Sequence, residues 1–268
     1  LLMQGDLAWG AVALDFDNDT DYDIFVTNGA NEGIGFDKLF QNMWIENGET
    51  ALSFQDVTSI AGISGPISDG DTSPIPVASA NAVAIDYNQD GNIDIFVNGH
   101  IHANSLPELR GRNILWENNG DGTFTEVANR MGMADDGDGR ASVCADFNND
   151  GYMDIFMINV VRGRARLFRN NNWANNWLTV RLVGTTSNRS GIGAIVAIKA
   201  GTSTQIREVN AGASYASMHS INQQFGLLKN SLVDKVTVRW PSGIVQELTD
   251  VEVNQTLIIT EPLLTAVA

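Results

Sequence analysis

The sequence predicts an all-β chain in which three propeller-type blades precede a smaller β-sandwich. Three observations carry that reading. A 19-residue segment occurs three times, a short apolar run ending in Asn follows each copy, and beyond residue 173 both the charge and the hydrophobic pattern change.

The first copy is AVALDFDNDTDYDIFVTNG from Ala11. It returns as AVAIDYNQDGNIDIFVNGH from Ala82 and as ASVCADFNNDGYMDIFMIN from Ala141. In each, two apolar runs of strand length flank an acidic stretch, the pattern of a hairpin with a charged corner. A third strand follows as LFQN from Leu39, LWEN from Leu115 and LFRN from Leu167. A fourth follows the first two copies as SFQD from Ser53 and TFTE from Thr123. Units of about 60 to 70 residues with roughly four short strands have the size of propeller blades. The expected limits are 1–65, 66–134 and 135–173 for the blades, 174–262 for the sandwich and 263–268 for an apolar tail.

Composition bounds the function. The net charge is −16, and residues 1–173 hold 26 acids against 9 Lys and Arg, whereas residues 174–268 hold 6 against 7. An acidic first segment lacks the basic footprint that nucleic acid demands. No apolar run approaches the roughly 20 residues of a membrane helix. The chain opens LLMQ, with neither an initiator Met nor a basic leader, so any export signal is expected to have been removed or never included. One cysteine, Cys144, excludes an internal disulfide and reads as a small core residue.

The acidic corners repeat the pattern D-x-[DN]-x-D-[GT]-x-x-D. Like charge at this density between two buried strands requires a counter-ion. Side-chain oxygens at positions 1, 3, 5 and 9, with the carbonyl at position 7, suit the six to eight hard oxygens of Ca²⁺. Mg²⁺ fits less well because it keeps its waters and a strict octahedron, and zinc prefers His or Cys. The candidate ligands are Asp15, Asp17, Asp19 and Asp23; Asp86, Asn88, Asp90 and Asp94; and Asp146, Asn148, Asp150 and Asp154. Asp21, Asn92 and Tyr152 are the expected carbonyl donors, and about three Ca²⁺ ions the expected cofactors. Position 6 needs a sharp turn, natural for Gly91 and Gly151. Thr20 stands there in the first copy, which implies either a distorted loop or a different turn.

This repeat resembles the FG-GAP/VCBS family of calcium-loop propeller repeats over about residues 1–173. AWGAVA, SANAVA and GRASVC stand where the Phe-Gly and Gly-Ala-Pro pieces would fall, so the calcium loop carries the resemblance. The resemblance implies an extracellular, secreted protein. From Trp177 onward, SNRSGIGA (Ser187–Ala194), REV (Arg207–Val209), FGL (Phe225–Leu227) and WPSG (Trp240–Gly243) resemble the ASPIC/UnbV domain found after such repeats. Alternation in TVRLV, AIVAIKA and KVTVRW, with turns at AGTS and PSG, independently predicts a small sandwich.

No nucleophile elbow, Walker loop, zincin or dinucleotide motif is present, so no enzyme is expected. His100 and His102 in GHIH read as loop-edge residues, or alternatively as ligands of a further metal or a general base. Arg162, Arg164, Arg166 and Arg169 read as a solvated edge strand, or as a contact to an acidic copy or an anionic glycan. Trp44 and Trp116 are expected in the repeat cores. Of the sequons, Asn188 and Asn254 mark possible glycan sites and Asn18 falls within a metal loop.

Three blades are too few to close a ring. Exposed blade faces and the apolar ends LLMQ and PLLTAVA therefore imply self-association, head to tail and filamentous where the rotation does not close. The functional expectation is a secreted calcium-binding protein with a structural, adhesive or matrix role and a possible glycan or cell-surface partner. The alternative is a lyase or dehydratase acting on extracellular polysaccharide.

Overall fold

The computed structural model describes residues 8–28, 37–63, 78–100, 111–135, 137–160, 163–171, 174–212, 215 and 217–263. LLMQ, residues 264–268 of the tail, His102 and Arg162 lie outside the described residues. Every regular element among the described residues is a strand, and no helix among them is long and apolar enough to cross a membrane.

The first sheet is a meander of β1 (Ala8–Leu14), β2 (Asp23–Asn28), β3 (Lys38–Asn42) and β4 (Phe54–Asp56). The second repeats it with β5 (Ala78–Ile85), β6 (Asp94–His100), β7 (Ile114–Asn118) and β8 (Phe124–Glu126). The third has three strands, β9 (Gly139–Ala145), β10 (Asp154–Asn159) and β11 (Arg166–Phe168). It lacks the fourth because the third copy has no counterpart of SFQD or TFTE. Pairing Leu14 with Asp23, Ile85 with Asp94 and Ala145 with Asp154 fixes one register throughout. All three acidic corners thus occupy equivalent positions.

Each blade buries one face against the next. Leu14, Phe16 and Phe25 share a core with Ile95, Ile114 and Trp116, while Phe96 and Leu115 share another with Cys144, Ile155 and Met157. β6 lies between two neighbours and is buried at every residue, whereas β2 alternates buried with half-buried positions. The alternation marks a strand with one covered face.

The third blade repeats the residues of this interface without a cover. Phe16 is 3% exposed but its counterpart Phe147 is 50%; Leu39 and Leu115 are fully buried but Leu167 is 57% exposed. On the opposite side of the stack, Ala11 and Ala13 of β1 are also exposed. Among the described residues the two apolar cores of the blades join neighbouring blades only, so ring closure is not seen.

Of the arginines, Arg166 lies on the edge strand β11, with Arg164 before it and Arg169 just after it. Arg166 pairs with Asp135 at 2.7 Å, and Arg169 approaches Asp150 at 3.6 Å. One expectation needs correction. Trp116 is a core residue, but its counterpart by register is Phe40, since Ile95 faces Trp116 and Ile24 faces Phe40. Trp44 lies beyond the end of β3 and is half-buried.

The C-terminal part is a sandwich of β12 (Trp177–Val183), β13 (Ile195–Ala200), β14 (Ser203–Glu208), β15 (Gln223–Gly226), β16 (Leu232–Arg239), β17 (Val245–Glu252) and β18 (Gln255–Thr260). One sheet runs β15-β12-β18 and the other β14-β13-β16-β17. Leu178, Val180, Val196, Ile198, Phe225, Val236 and Trp240 fill the space between them. A buried carboxylate clasps one end. Glu261 accepts from the N–H groups of Thr185, Thr186 and Ser187 and from the hydroxyls of Ser187 and Ser242. Its burial alone raises the carboxyl pKa, yet these donors bring it down to about 2. Two of the motif pieces singled out in the sequence, SNRSG and WPSG, therefore meet on one acid.

Candidate metal centre

The three corners fold alike. Position 5 accepts the N–H of position 7 through Asp19 to Asp21 at 2.9 Å, Asp90 to Asn92 at 2.8 Å and Asp150 to Tyr152 at 3.0 Å. Position 3 accepts the N–H of position 5 through Asp17, Asn88 and Asn148. These are Asx-type turns, which short oxygen-bearing side chains form with their own backbone. Positions 4 and 6 take left-handed conformations: Asn18, Gln89 and Asn149 at φ of 59°, 58° and 57°, then Thr20, Gly91 and Gly151 at 80°, 90° and 90°. Thr20 therefore makes the same turn as the glycines, and the expectation of distortion or a different turn is not met. The register forces on a β-branched residue a conformation that it disfavours.

Position 9 has a second task. Asp23 accepts the N–H of Phe16 at 3.1 Å and of Asn42 at 2.8 Å; Asp94 accepts those of Tyr87 and Asn118, and Asp154 those of Phe147 and Asn170. Each acid ties its own loop to the Asn at or just beyond the end of the third strand. Burial raises the pKa of Asp23 to about 8 and that of Asp94 well above the ordinary carboxylate value.

The loops differ in how much of their oxygen remains uncommitted. Asp86 accepts from the N–H groups of Asp90, Gly91 and Gly226, and Asp146 from those of Asp150 and Gly151. Asn88 and Asn148 donate to Asp90 and Asp150, closing their loops further. In the first loop both oxygens of Asp15, which is 1% exposed, are buried without a partner, as are Asn18 Oδ1, Asp19 Oδ2 and Asp21 Oδ1. Ligand oxygens of Asp15, Asp17 and Asp19 lie within 4.8 Å of one another, and so do those of Asp19, Asp21 and Glu46. Burial, with the nearby carboxylates, pushes Asp15 up to about 7 and Asp19 up to about 6. Buried acceptors closed to water and unmatched by any donor are costly, and a small hard cation removes that cost. The aspartate clusters are consistent with metal binding on this observation.

Some partners escaped the reading of the repeat. Gln41 donates to Asp17 at 2.8 Å, and Glu46 comes from the turn after β3. Neighbouring corners are also linked: Asn18 donates to the carbonyl of Gly91 at 3.3 Å, and Gln89 to that of Gly151 at 2.7 Å. The Asn18 side-chain amide, part of a sequon, is thus engaged with the second corner in the folded chain.

The sandwich docks on the corners. Gly226 N–H reaches Asp86 Oδ2 at 3.1 Å, Gln224 donates to the Gly151 carbonyl, and Leu228 N–H donates to the carbonyl of Gln89 at 3.1 Å. Gly91 faces Gln205 and Gly226, and Gly151 lies against the Trp177 ring, approaches that leave no room for a Cβ. On β14, Arg207 stacks 5.2 Å from the Phe225 ring centre. Burial lowers its pKa, while the charges of Asp86 and Asp15 pull it back up. Tyr22, Arg207 and His219 border one cavity of about 380 Å³ between blades and sandwich. Cys144 N–H donates to His219 Nδ1 at 3.3 Å, and burial brings that imidazole down to about 4, so it is neutral. At the other end of the blades His100 is buried, with Nδ1 2.5 Å from Asp138 Oδ1. It is a core residue and not the loop-edge residue expected.

Stacked meanders of three or four strands with acidic corners, joined to a docked sandwich, define a repeat protein with an appended β domain. Residues 86–157 match the FG-GAP-like repeat, and residues 184–265 match ASPIC and UnbV. The chain is similar to cartilage acidic protein 1 of Mus musculus, at 25% identity over 203 residues that make up 71% of this chain and 30% of that protein. It is 32% identical to cartilage acidic protein 1 of Homo sapiens over 138 residues, 50% of this chain and 18% of that protein. The homology is distant, and the chain spans less than a third of these relatives' length.

Proposed function

We propose that this is a secreted calcium-binding repeat protein with a structural, adhesive or matrix role. The unpartnered, buried oxygens of the first corner carry the calcium reading. Ca²⁺ accepts carboxylate, amide and carbonyl oxygens in a forgiving geometry, and Asp15, Asp17 and Asp19 supply the nearest set. Relatives named for cartilage and for acidity agree with a matrix setting. The uncovered face of the third blade and the exposed side of β1 support head-to-tail contact between copies.

Thermal unfolding in Ca²⁺ and in EDTA tests the calcium reading. Each site saturated at 100 times its Kd adds about 2.7 kcal/mol, so chelation lowers Tm by several degrees; superimposable curves refute it. Sedimentation at rising concentration tests the head-to-tail contact, and a monomer throughout refutes that part alone.

A second reading, a carbohydrate-active lyase or dehydratase, draws on the cavity that Tyr22, Arg207 and His219 border. Incubation with acidic polysaccharides and assay for unsaturated products separates the two.

A further inference from the structure

The first corner holds more acid than one ion requires. Asp21 occupies position 7, where the other copies have Asn92 and Tyr152, and only its carbonyl was expected to matter. Its carboxylate is instead turned inward: the residue is 8% exposed, Oδ2 accepts the N–H of Ile45 at 3.3 Å, and Oδ1 is buried without a partner. Asp19 Oδ2 is likewise unpartnered. Glu46, on the turn after β3, brings a third carboxylate to within 4.8 Å of these two. This triplet shares Asp19 with the triplet of Asp15 and Asp17.

We propose that Asp19, Asp21 and Glu46 form a second cation site in the first corner, beside the one centred on Asp15 and absent from the other two corners. Three carboxylates call for a hard divalent ion, and Ca²⁺ is the fitting class. Glu46 is exposed, so the site opens to solvent on that side and water completes the shell. Its restriction to one copy follows from the sequence, because neither Asn92 nor Tyr152 supplies a carboxylate. It also accounts for the second carboxylate oxygen of Asp21, since a single ion engages this residue only through its carbonyl. The inference rests on the calcium reading of this corner.

Calcium titration of the full chain by calorimetry tests it, with Glu46→Gln and Asp21→Asn compared with wild type and Asp121→Asn as a control from an exposed turn of the second blade. The expected result is one binding event fewer, or one weakened at least about tenfold, in both variants, with the remaining events unchanged and the control like wild type. Binding by wild type that neither variant alters overturns the second site and leaves the calcium reading standing. No binding by wild type overturns both. Since Glu46 is exposed, Glu46→Gln keeps the test decisive even where Asp21→Asn fails to fold.

Discussion

The main-chain N–H of Gly226 lies 3.1 Å from Asp86 Oδ2, so position 1 of the second corner is bound by a strand of the sandwich. A Cβ on Gly226 would collide with that carboxylate and with the backbone of Gln89. Gly226→Ala is expected to cost about 1–3 kcal/mol as an overpacked contact. It should also split unfolding into separate sandwich and blade transitions. Gly212→Ala is the control, because no atom of the described residues lies within 4 Å of its Cβ position. Calorimetry of both variants checks this, and equal effects would count against a docked sandwich.

Thr20 at φ 80° carries strain that glycine does not. Relief of about 1–3 kcal/mol, less about 0.5–1 kcal/mol for the added chain freedom of glycine, predicts that Thr20→Gly stabilises by about 1 kcal/mol. Urea denaturation with an unchanged slope measures it. A loss of stability would mean that the threonine side chain has a favourable contact.

Asp94 is completely buried and holds the N–H groups of Tyr87 and Asn118. Asp94→Ala strands both donors at about 1–3 kcal/mol each. Asp94→Asn keeps one acceptor and should lose about half as much. Denaturation in EDTA isolates this role from any metal contribution, and an unchanged midpoint for Asp94→Ala would rule the staple out.

Burial pushes the pKa of Asp37 up to about 7, against hydrogen bonds from Asn28 N–H and Ser79 Oγ. The folded chain therefore holds this proton more tightly than the unfolded one, whose reference value is 3.8. The resulting stability is fully present below pH 3.8 and is lost as pH rises toward 7. Asp15 and Asp86, also raised to about 7, act in the same direction without metal. Melting in EDTA across this range should show Tm contributions falling with pH, with Asp37→Asn flattening the slope. An unflattened slope would remove Asp37 from the account.

Local information was well written in the sequence. Equal spacing of Asp15, Asp86 and Asp146 from their flanking strands foretold three equivalent corners, and AGTS and PSG foretold the turns after β13 and β16. Roughly four strands were expected in each unit, and the third sheet has three because its copy has no counterpart of SFQD or TFTE. Long-range roles were not legible. Asp23, Asp94 and Asp154 match a ligand position in spacing, and only tertiary structure shows the amides that they hold. Glu46 and Gln41 come from outside the repeat pattern, and Gly226 reaches Asp86 across 140 residues. Trp44 misled because two tryptophans near the same motif occupy different registers.

The amide of Asn18 reaches forward to the second corner and that of Gln89 to the third, while those of Asn118 and Asn170 reach back to the Phe16 and Tyr87 carbonyls of the corner before. Each junction between corners is therefore clasped from both sides. A unit added by duplication must therefore carry both halves of this clasp, and one inserted next to the sandwich would need a new fit to Trp177 and Gly226 as well.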